Sequence, residues 1–138
     1  MSDSDRDFVL EFMRANRVSA VATVDGQQPV VRLMQTARID DDFTCWFATG
    51  ADSNKVRHLA ANPHICLLYY AGETDVRVRG RVERITDQAL RDELWEEDWK
   101  QYFSEGSTDP NYALLKTIPE QVEFRDTKRT NWEIRHML

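Results

Sequence analysis

Apolar residues recur along this chain with two periods, one helical and one alternating. From Ser4 to Asn16 the positions Phe8, Val9, Phe12 and Met13 fall on one stripe behind a run of acidic residues, which predicts an N-terminal helix within residues 1–17, lying on a core. Val18 to Val24 is short, β-branched and largely apolar. Asp25-Gly26 behind it is a hairpin signal, so Val30 to Arg38 is expected to pair back antiparallel. In that second strand Val31, Leu33 and Gln35 point one way and Val30, Arg32, Met34 and Thr36 the other, which puts Arg32 on a face with apolar residues. Ile39 to Asp42 reads as a polar turn and Phe43 to Ala48 as a third strand. Ser53 to Ala61 reads as a short helix with Val56, Leu59 and Ala60 inward, stopped by Asn62-Pro63.

Further on, His64 to Tyr70 is nearly continuous in apolar residues and predicts a central strand buried on both faces. Thr74 to Ile85 alternates strictly, with Val76, Val78, Gly80 and Val82 on one face and Arg77, Arg79, Arg81 and Glu83 on the other. Asp87 to Phe103 is read as one helix whose aromatic stripe (Trp95, Trp99, Tyr102, Phe103) fits core or subunit interface better than a ligand box. Residues 104–111 form a loop, Tyr112 to Lys116 one helical turn, and Ile118 to Phe124 a last strand. The tail from Trp132 to Leu138 is a short strand or a docking arm. This order predicts a mainly β protein, a small barrel of six to seven mostly antiparallel strands flanked by helices.

Length then sets the scale: 138 residues suit one domain, residues 1–138, with a single core. A net charge of −6 excludes a general nucleic-acid binder, whose affinity would come from clustered Lys and Arg, so any anion must be bound locally. No apolar run approaches the ~20 residues of a membrane span, and the acidic start of the chain is unlike a signal peptide; the expectation is a soluble, cytoplasmic protein with no membrane partner. Cys45 and Cys66 both lie in apolar runs and read as small buried hydrophobes rather than a disulfide.

One stretch departs from the ordinary rules of charge. In "FATGADSNKVRHL" (47–59) a helix begins with Lys55, Arg57 and His58 in its first turns, although a helix N-terminus carries roughly half a positive charge and disfavours cations. With Ser53 as N-cap, its hydroxyl bonded to a backbone N–H, the remaining amides and Lys55 make an anion site; the alternative is a plain connection in which Asp52 neutralises Lys55. Arg32 is either a second phosphate ligand or a surface residue paired with Asp40 to Asp42. The Arg77, Arg79, Arg81 face is either a solvated strand face beside Glu73 and Glu83 or the rim of an anionic-ligand cleft. The chain has no Cys-x-x-Cys, no His pair at metal spacing, no Gly-rich phosphate loop and no nucleophile elbow; its three histidines are scattered. Chemistry here points to an organic cofactor.

The runs "VATVDGQQPVVRLM", "CWFATGADSNKVRHLAANPHICLLYY" and "VRVRGRVERITD" resemble the pyridoxamine 5′-phosphate oxidase-like family of FMN-binding split barrels, especially its short general-stress-protein-like branch, over about residues 8 to 125. The resemblance implies a homodimer with two FMN sites at the subunit interface. Carried over by position, Arg32 and Lys55 hold the phosphate with Ser53 assisting. Leu33, Met34, Gln35, Ala48 and Thr49 line the flavin through backbone or side chain, and Arg77 or Arg79 contacts it from the long strand. Asn54 stands where the family commonly has Arg, which weakens the phosphate grip, and the C-terminal segment that recognises pyridoxamine phosphate has no match. The implied function is an FMN-dependent oxidoreductase acting on an unknown small molecule, not a vitamin B6 enzyme. The alternatives are a flavin-binding or stress-related module without turnover, a split barrel that takes F420 or haem, or a ligand-free scaffold.

Overall fold

The computed structural model describes residues 3–138, so Met1 and Ser2 of the expected N-terminal helix lie outside the described residues. Eight strands form one antiparallel sheet in the order β2-β1-β5-β6-β7-β4-β3, with β8 paired to β7. They are β1 (Val18–Asp25), β2 (Gln28–Gln35), β3 (Arg38–Ile39), β4 (Cys45–Gly50), β5 (His64–Ala71), β6 (Thr74–Ile85), β7 (Tyr112–Asp126) and β8 (Arg135–His136). Three helices accompany them: α1 (Asp3–Ala15), α2 (Asn54–Ala61) and α3 (Gln88–Leu94). The mainly β, antiparallel expectation is met; the tail supplies the two-residue strand β8, and the added strand is the two-residue β3.

The hairpin signal works as a turn should. Gly26 adopts φ 63, a conformation costly for other residues, and lets Asp25 pair with Gln28 so that β2 returns along β1 in unbroken register. The inner faces of β1 and β4 to β7 then close with α1 and α2 on one apolar cluster that includes Val9, Met13, Val21, Phe47, Leu67, Val78 and Phe124, each at most 1% exposed. Burial of that many apolar side chains is the main force holding the curled sheet.

Several expected boundaries move for physical reasons. The third strand starts at Cys45 rather than Phe43, because residues 40–43 make a tight turn. Phe43 adopts φ 71 there, with its N–H donating to Asp40 O while its ring is buried. β5 is buried on one face only: Ile65, Leu67 and Tyr69 point inward, whereas Leu68 and Tyr70 are exposed. In α2 the inward residues are Val56, His58 and Leu59, and Ala60 is exposed. The helix expected over Asp87 to Phe103 ends at Leu94 and resumes as a 3-10 turn over Glu97–Gln101. This break lets Trp95 pack edge-on against both Trp99 and Tyr112.

Tyr112 to Lys116 is not a helical turn but the first third of β7, a 15-residue strand. Its partners β4 and β6 supply backbone bonds on both sides, an influence no local pattern could announce. With Trp46, Leu94, Phe103 and Leu114, Tyr112 builds a second apolar cluster against which Trp95 and Trp99 pack. The tail ends as the short strand β8, with Met137 buried and its N–H donating to Val122 O at 2.7 Å.

Candidate functional site

The turn after β4 delivers α2 to the open end of the sheet. Ser53 is the N-cap in extended conformation, but its hydroxyl makes no capping bond; Oγ is buried with no partner among the described residues. The expected side-chain cap is therefore absent. The first helical bond runs from Arg57 N–H to Ser53 O at 3.3 Å, which leaves the amides of Asn54, Lys55 and Val56 without a backbone acceptor among the described residues. No acidic residue occupies the first turn.

Two cations converge on this corner. Lys55 Nζ donates to Thr49 Oγ1 at 2.9 Å and has no acidic partner among the described residues; Asp52 is exposed and does not neutralise it. Arg32, on the inner side of β2, donates to Thr23 Oγ1 (2.7 Å) and Val21 O (3.2 Å) and does not meet the Asp40 to Asp42 carboxylates. Burial lowers the pKa of Lys55, and the positive charge of Arg32 lowers it further; burial likewise lowers that of Arg32. Like charges held together at a helix N-terminus with no counter-charge raise the energy of the fold unless an anion is bound between them.

Beside this corner lies a cavity of about 490 Å³, within the roughly 300–1,000 Å³ usual for small-molecule sites. Met34 to Ala37 of the β2 end, Ala48 to Gly50 of β4 and Lys55 of α2 form one side; Glu96, Trp99, Tyr102, Phe103 and Asn111 form the other. Of the residues singled out in the sequence, Met34, Gln35, Ala48, Thr49 and Lys55 line this cavity, with Arg32 and Ser53 behind the α2 end of it. Asn54 is exposed at the same helix start.

Two residues are not brought there. Leu33 alternates to the opposite face of β2, is 73% exposed and does not line the cavity. Arg77 also points outward, 3.2 Å from Glu123 of β7, and Arg81 approaches Glu120 at 3.5 Å; the acids facing this strand come from β7, not from Glu73 or Glu83. Sequence reasoning missed the far wall. Trp99, Tyr102 and Phe103 were visible as a stripe but were assigned to core or subunit interface rather than to a ligand site. Asn111 carried no signal, since it arrives only through the pairing of Gly50 with Tyr112.

Cys45 is buried, and burial pushes its thiol up to about 12; Cys66 is half-buried and also raised, and both are free. Among the described residues, no group of His, Cys, Asp or Glu is arranged to hold a metal ion, and no helix is long and apolar enough to cross a membrane.

The model of the pyridoxamine 5′-phosphate oxidase family matches residues 6–126, nearly the whole chain. This chain belongs to that family. Among curated relatives, the pyridoxine/pyridoxamine 5′-phosphate oxidase of Pseudomonas putida (strain W619) is 41% identical over 76 residues, covering 52% of this chain and 34% of that protein. The oxidase of Cupriavidus taiwanensis is 44% identical over 72 residues, covering 49% and 33%. The chain thus spans about a third of the length of these oxidases. A solved protein related to general stress protein 26, from Clostridium acetobutylicum, superposes with TM-score 0.85 at 19% identity, covering 99% of this chain and 96% of the other. A pyridoxamine 5′-phosphate oxidase-related, FMN binding protein from Nostoc punctiforme PCC 73102 gives 0.72 at 16%, covering 100% and 98%. At these identities the likeness shows the fold, and the curled sheet is the split barrel of the pyridoxamine 5′-phosphate oxidase family.

Proposed function

We propose that this chain is a single FMN-binding domain that works as a homodimer and as a flavin-dependent oxidoreductase on a small molecule other than pyridoxamine phosphate. One observation carries the reading: Arg32, Lys55 and the Ser53 hydroxyl gather at the free amides of α2, beside a cavity, with no acid paired to either cation and no partner for the hydroxyl among the described residues. A phosphate answers each of these at once, as acceptor for the amides and the hydroxyl and as counter-charge for both cations. The family and the FMN-binding neighbour support a flavin as the body attached to that phosphate.

In this reading Met34, Gln35, Ala48 and Thr49 form the bed of the ring system, and Lys55 braces Thr49 while facing the phosphate. Trp99, Tyr102 and Phe103 exclude water from the opposite side. When bound, FMN supplies reversible hydride and electron transfer, and the residues around it bind, orient and shield.

The dimer rests on a second observation. Val18, Val31, Leu33, Leu68 and Tyr70 are exposed on the outer face of β1, β2 and β5, at 36 to 73%. Strand pairing sets Leu33, Ala20, Leu68 and Arg77 in one row across that face. A contiguous apolar patch of this kind is the usual mark of a protein interface. Arg77, pointing outward within it, meets a flavin only across such an interface.

Visible absorption of the purified protein, with thermal unfolding measured with and without added FMN, tests the cofactor; flavin bands or a melting temperature that rises with FMN concentration are expected. Replacing Arg32 and Lys55 together with Ala is expected to abolish FMN retention. Wild-type affinity in that double variant would overturn the assignment. Turnover with a reduced nicotinamide and an acceptor separates an enzyme from a flavin carrier.

A further inference from the structure

Arg32 faces the proposed phosphate corner because other side chains hold it there, and its role rests on that proposed FMN site. Its Nη1 donates to Thr23 Oγ1 at 2.7 Å, and its Nη2 points at His58 Nδ1 at 3.3 Å. Thr23 Oγ1, having accepted from Arg32, has its own hydroxyl proton left to donate, and it lies 2.9 Å from the same Nδ1. A guanidinium only donates, so Nδ1 must be the unprotonated nitrogen and the ring proton must reside on Nε2.

Nε2 in turn lies 3.5 Å from Asp25 Oδ2, whose negative charge favours a proton on that edge of the ring. Arg57 Nη2 is 3.4 Å from the same Nε2 and would favour the other tautomer, but its side chain is 63% exposed and has Asp25 as an alternative partner at 3.6 Å. Arg32 and Thr23, both on the inner side of the hairpin, impose the stricter demand. The His58 side chain is 3% exposed, so water cannot take over either role.

We propose that His58, its Nδ1 kept as the acceptor for Thr23 and Arg32 and the Asp25 carboxylate beside its Nε2 edge, is a positioning residue that aims the Arg32 guanidinium at the phosphate corner. The chain of contacts runs from the end of β1 (Asp25) through α2 (His58) to the middle of β1 and β2 (Thr23 and Arg32). It ties the helix that offers its free amides to the strand that offers the guanidinium, and so fixes the spacing of the two halves of one anion site. An imidazole oriented by a carboxylate through its second nitrogen is the arrangement by which ligating histidines are commonly fixed. Here the group being fixed is an arginine.

Affinities of FMN and riboflavin, which differ only by the phosphate, separate this role from simple packing. Wild type, His58→Ala, His58→Asn and Asp25→Ala would be compared by quenching of flavin fluorescence. Losing a charge-assisted bond to Arg32 is expected to weaken FMN about tenfold in His58→Ala while riboflavin is unchanged. His58→Asn, whose Oδ1 replaces Nδ1 as acceptor, should recover most of that loss.

Asp25→Ala gives the sharpest contrast and keeps the buried ring in place. Removing a negative charge near a phosphate site should strengthen FMN binding by plain electrostatics, whereas loss of the tautomer lock should weaken it severalfold. Stronger FMN binding in Asp25→Ala, unchanged FMN binding in His58→Ala, or equal losses of FMN and riboflavin would each overturn the proposal. If His58→Ala does not fold, Asp25→Ala decides alone. A wild type that binds neither flavin defeats the cofactor reading itself, and this inference with it; a wild type that binds FMN and variants that bind it equally well defeat only the role of His58.

Discussion

Ser53 shows how a single residue can be read two ways until its neighbours are known. A capping serine replaced by Ala costs about 1 kcal/mol. Here the hydroxyl is buried and has no partner among the described residues, so removing it takes away an unsatisfied polar atom and is expected to leave ligand-free stability unchanged or slightly raised. The same Ser53→Ala variant is expected to bind FMN several-fold more weakly. Urea unfolding without ligand, paired with an FMN titration, checks both halves; a drop of stability near 1 kcal/mol in the absence of ligand would restore the capping role. Lys55 and Arg32 follow the same logic in charge. Each is comfortable alone, and their shared lack of a counter-ion is what marks the corner.

At the level of elements, the long strands β6 and β7 depend on one irregularity. Their register shifts between Arg79 and Gly80, where the backbone of Ile118 and Pro119 passes so close that a Cβ on Gly80 would lie 2.0 Å from Ile118 O. Backbone atoms cannot step aside as a side-chain end can. Gly80→Ala is therefore expected to destabilise the fold by more than about 2 kcal/mol, read as a lower denaturant midpoint. An unchanged midpoint would mean that the bulge relaxes freely. The broken α3 region has a related cause. Arg91 is buried with its guanidinium donating to Tyr112 O at 2.6 Å and Asp109 O at 3.0 Å, and Tyr112 OH donates back to Arg91 O at 3.2 Å. These bonds anchor the helix to β7, and the chain then turns at Trp95 to bring Trp99 and Phe103 over the cavity.

The whole molecule joins its two ends. Asp5 of α1 accepts from Arg135 of β8 at 2.7 Å and from Arg129 at 3.2 Å. Burial by itself would raise the Asp5 pKa, but these two arginines outweigh it and hold the carboxyl below its ordinary value. A carboxyl whose pKa is lower folded than unfolded contributes stability above its unfolded value, near about pH 4, and loses that contribution as pH falls through the folded value. Urea unfolding across this acid range is expected to show stability falling, with a shallower fall in Asp5→Asn, which should also be less stable at neutral pH. Parallel curves for the two proteins would remove Asp5 from the acid response. At the same scale, Leu33→Asp on the outer apolar face is expected to convert a dimer into monomers in sedimentation velocity and to lower FMN affinity at the same time. A wild type that sediments as a monomer would defeat the shared site.

Local pattern alone determined most of the strands, because alternation and turn chemistry act within a few residues: the Gly26 hairpin, the two faces of β2 and the full span of β6 were legible without tertiary contacts. The cationic start of α2 was legible for the same reason, since the helix dipole and its misplaced lysine lie in one short segment. Tertiary structure decided what depends on partners distant in sequence. It made Tyr112 to Lys116 a strand by flanking it with β4 and β6, turned one face of β5 outward, and released Ser53 from its cap. It also brought Asn111 and the Trp99 segment to the cavity and drew His58 between Asp25 and Arg32, contacts that exist only after the sheet has closed. The division follows from range: propensity and the helix dipole act over a few residues, whereas a site is the meeting of side chains that the chain itself keeps dozens of positions apart.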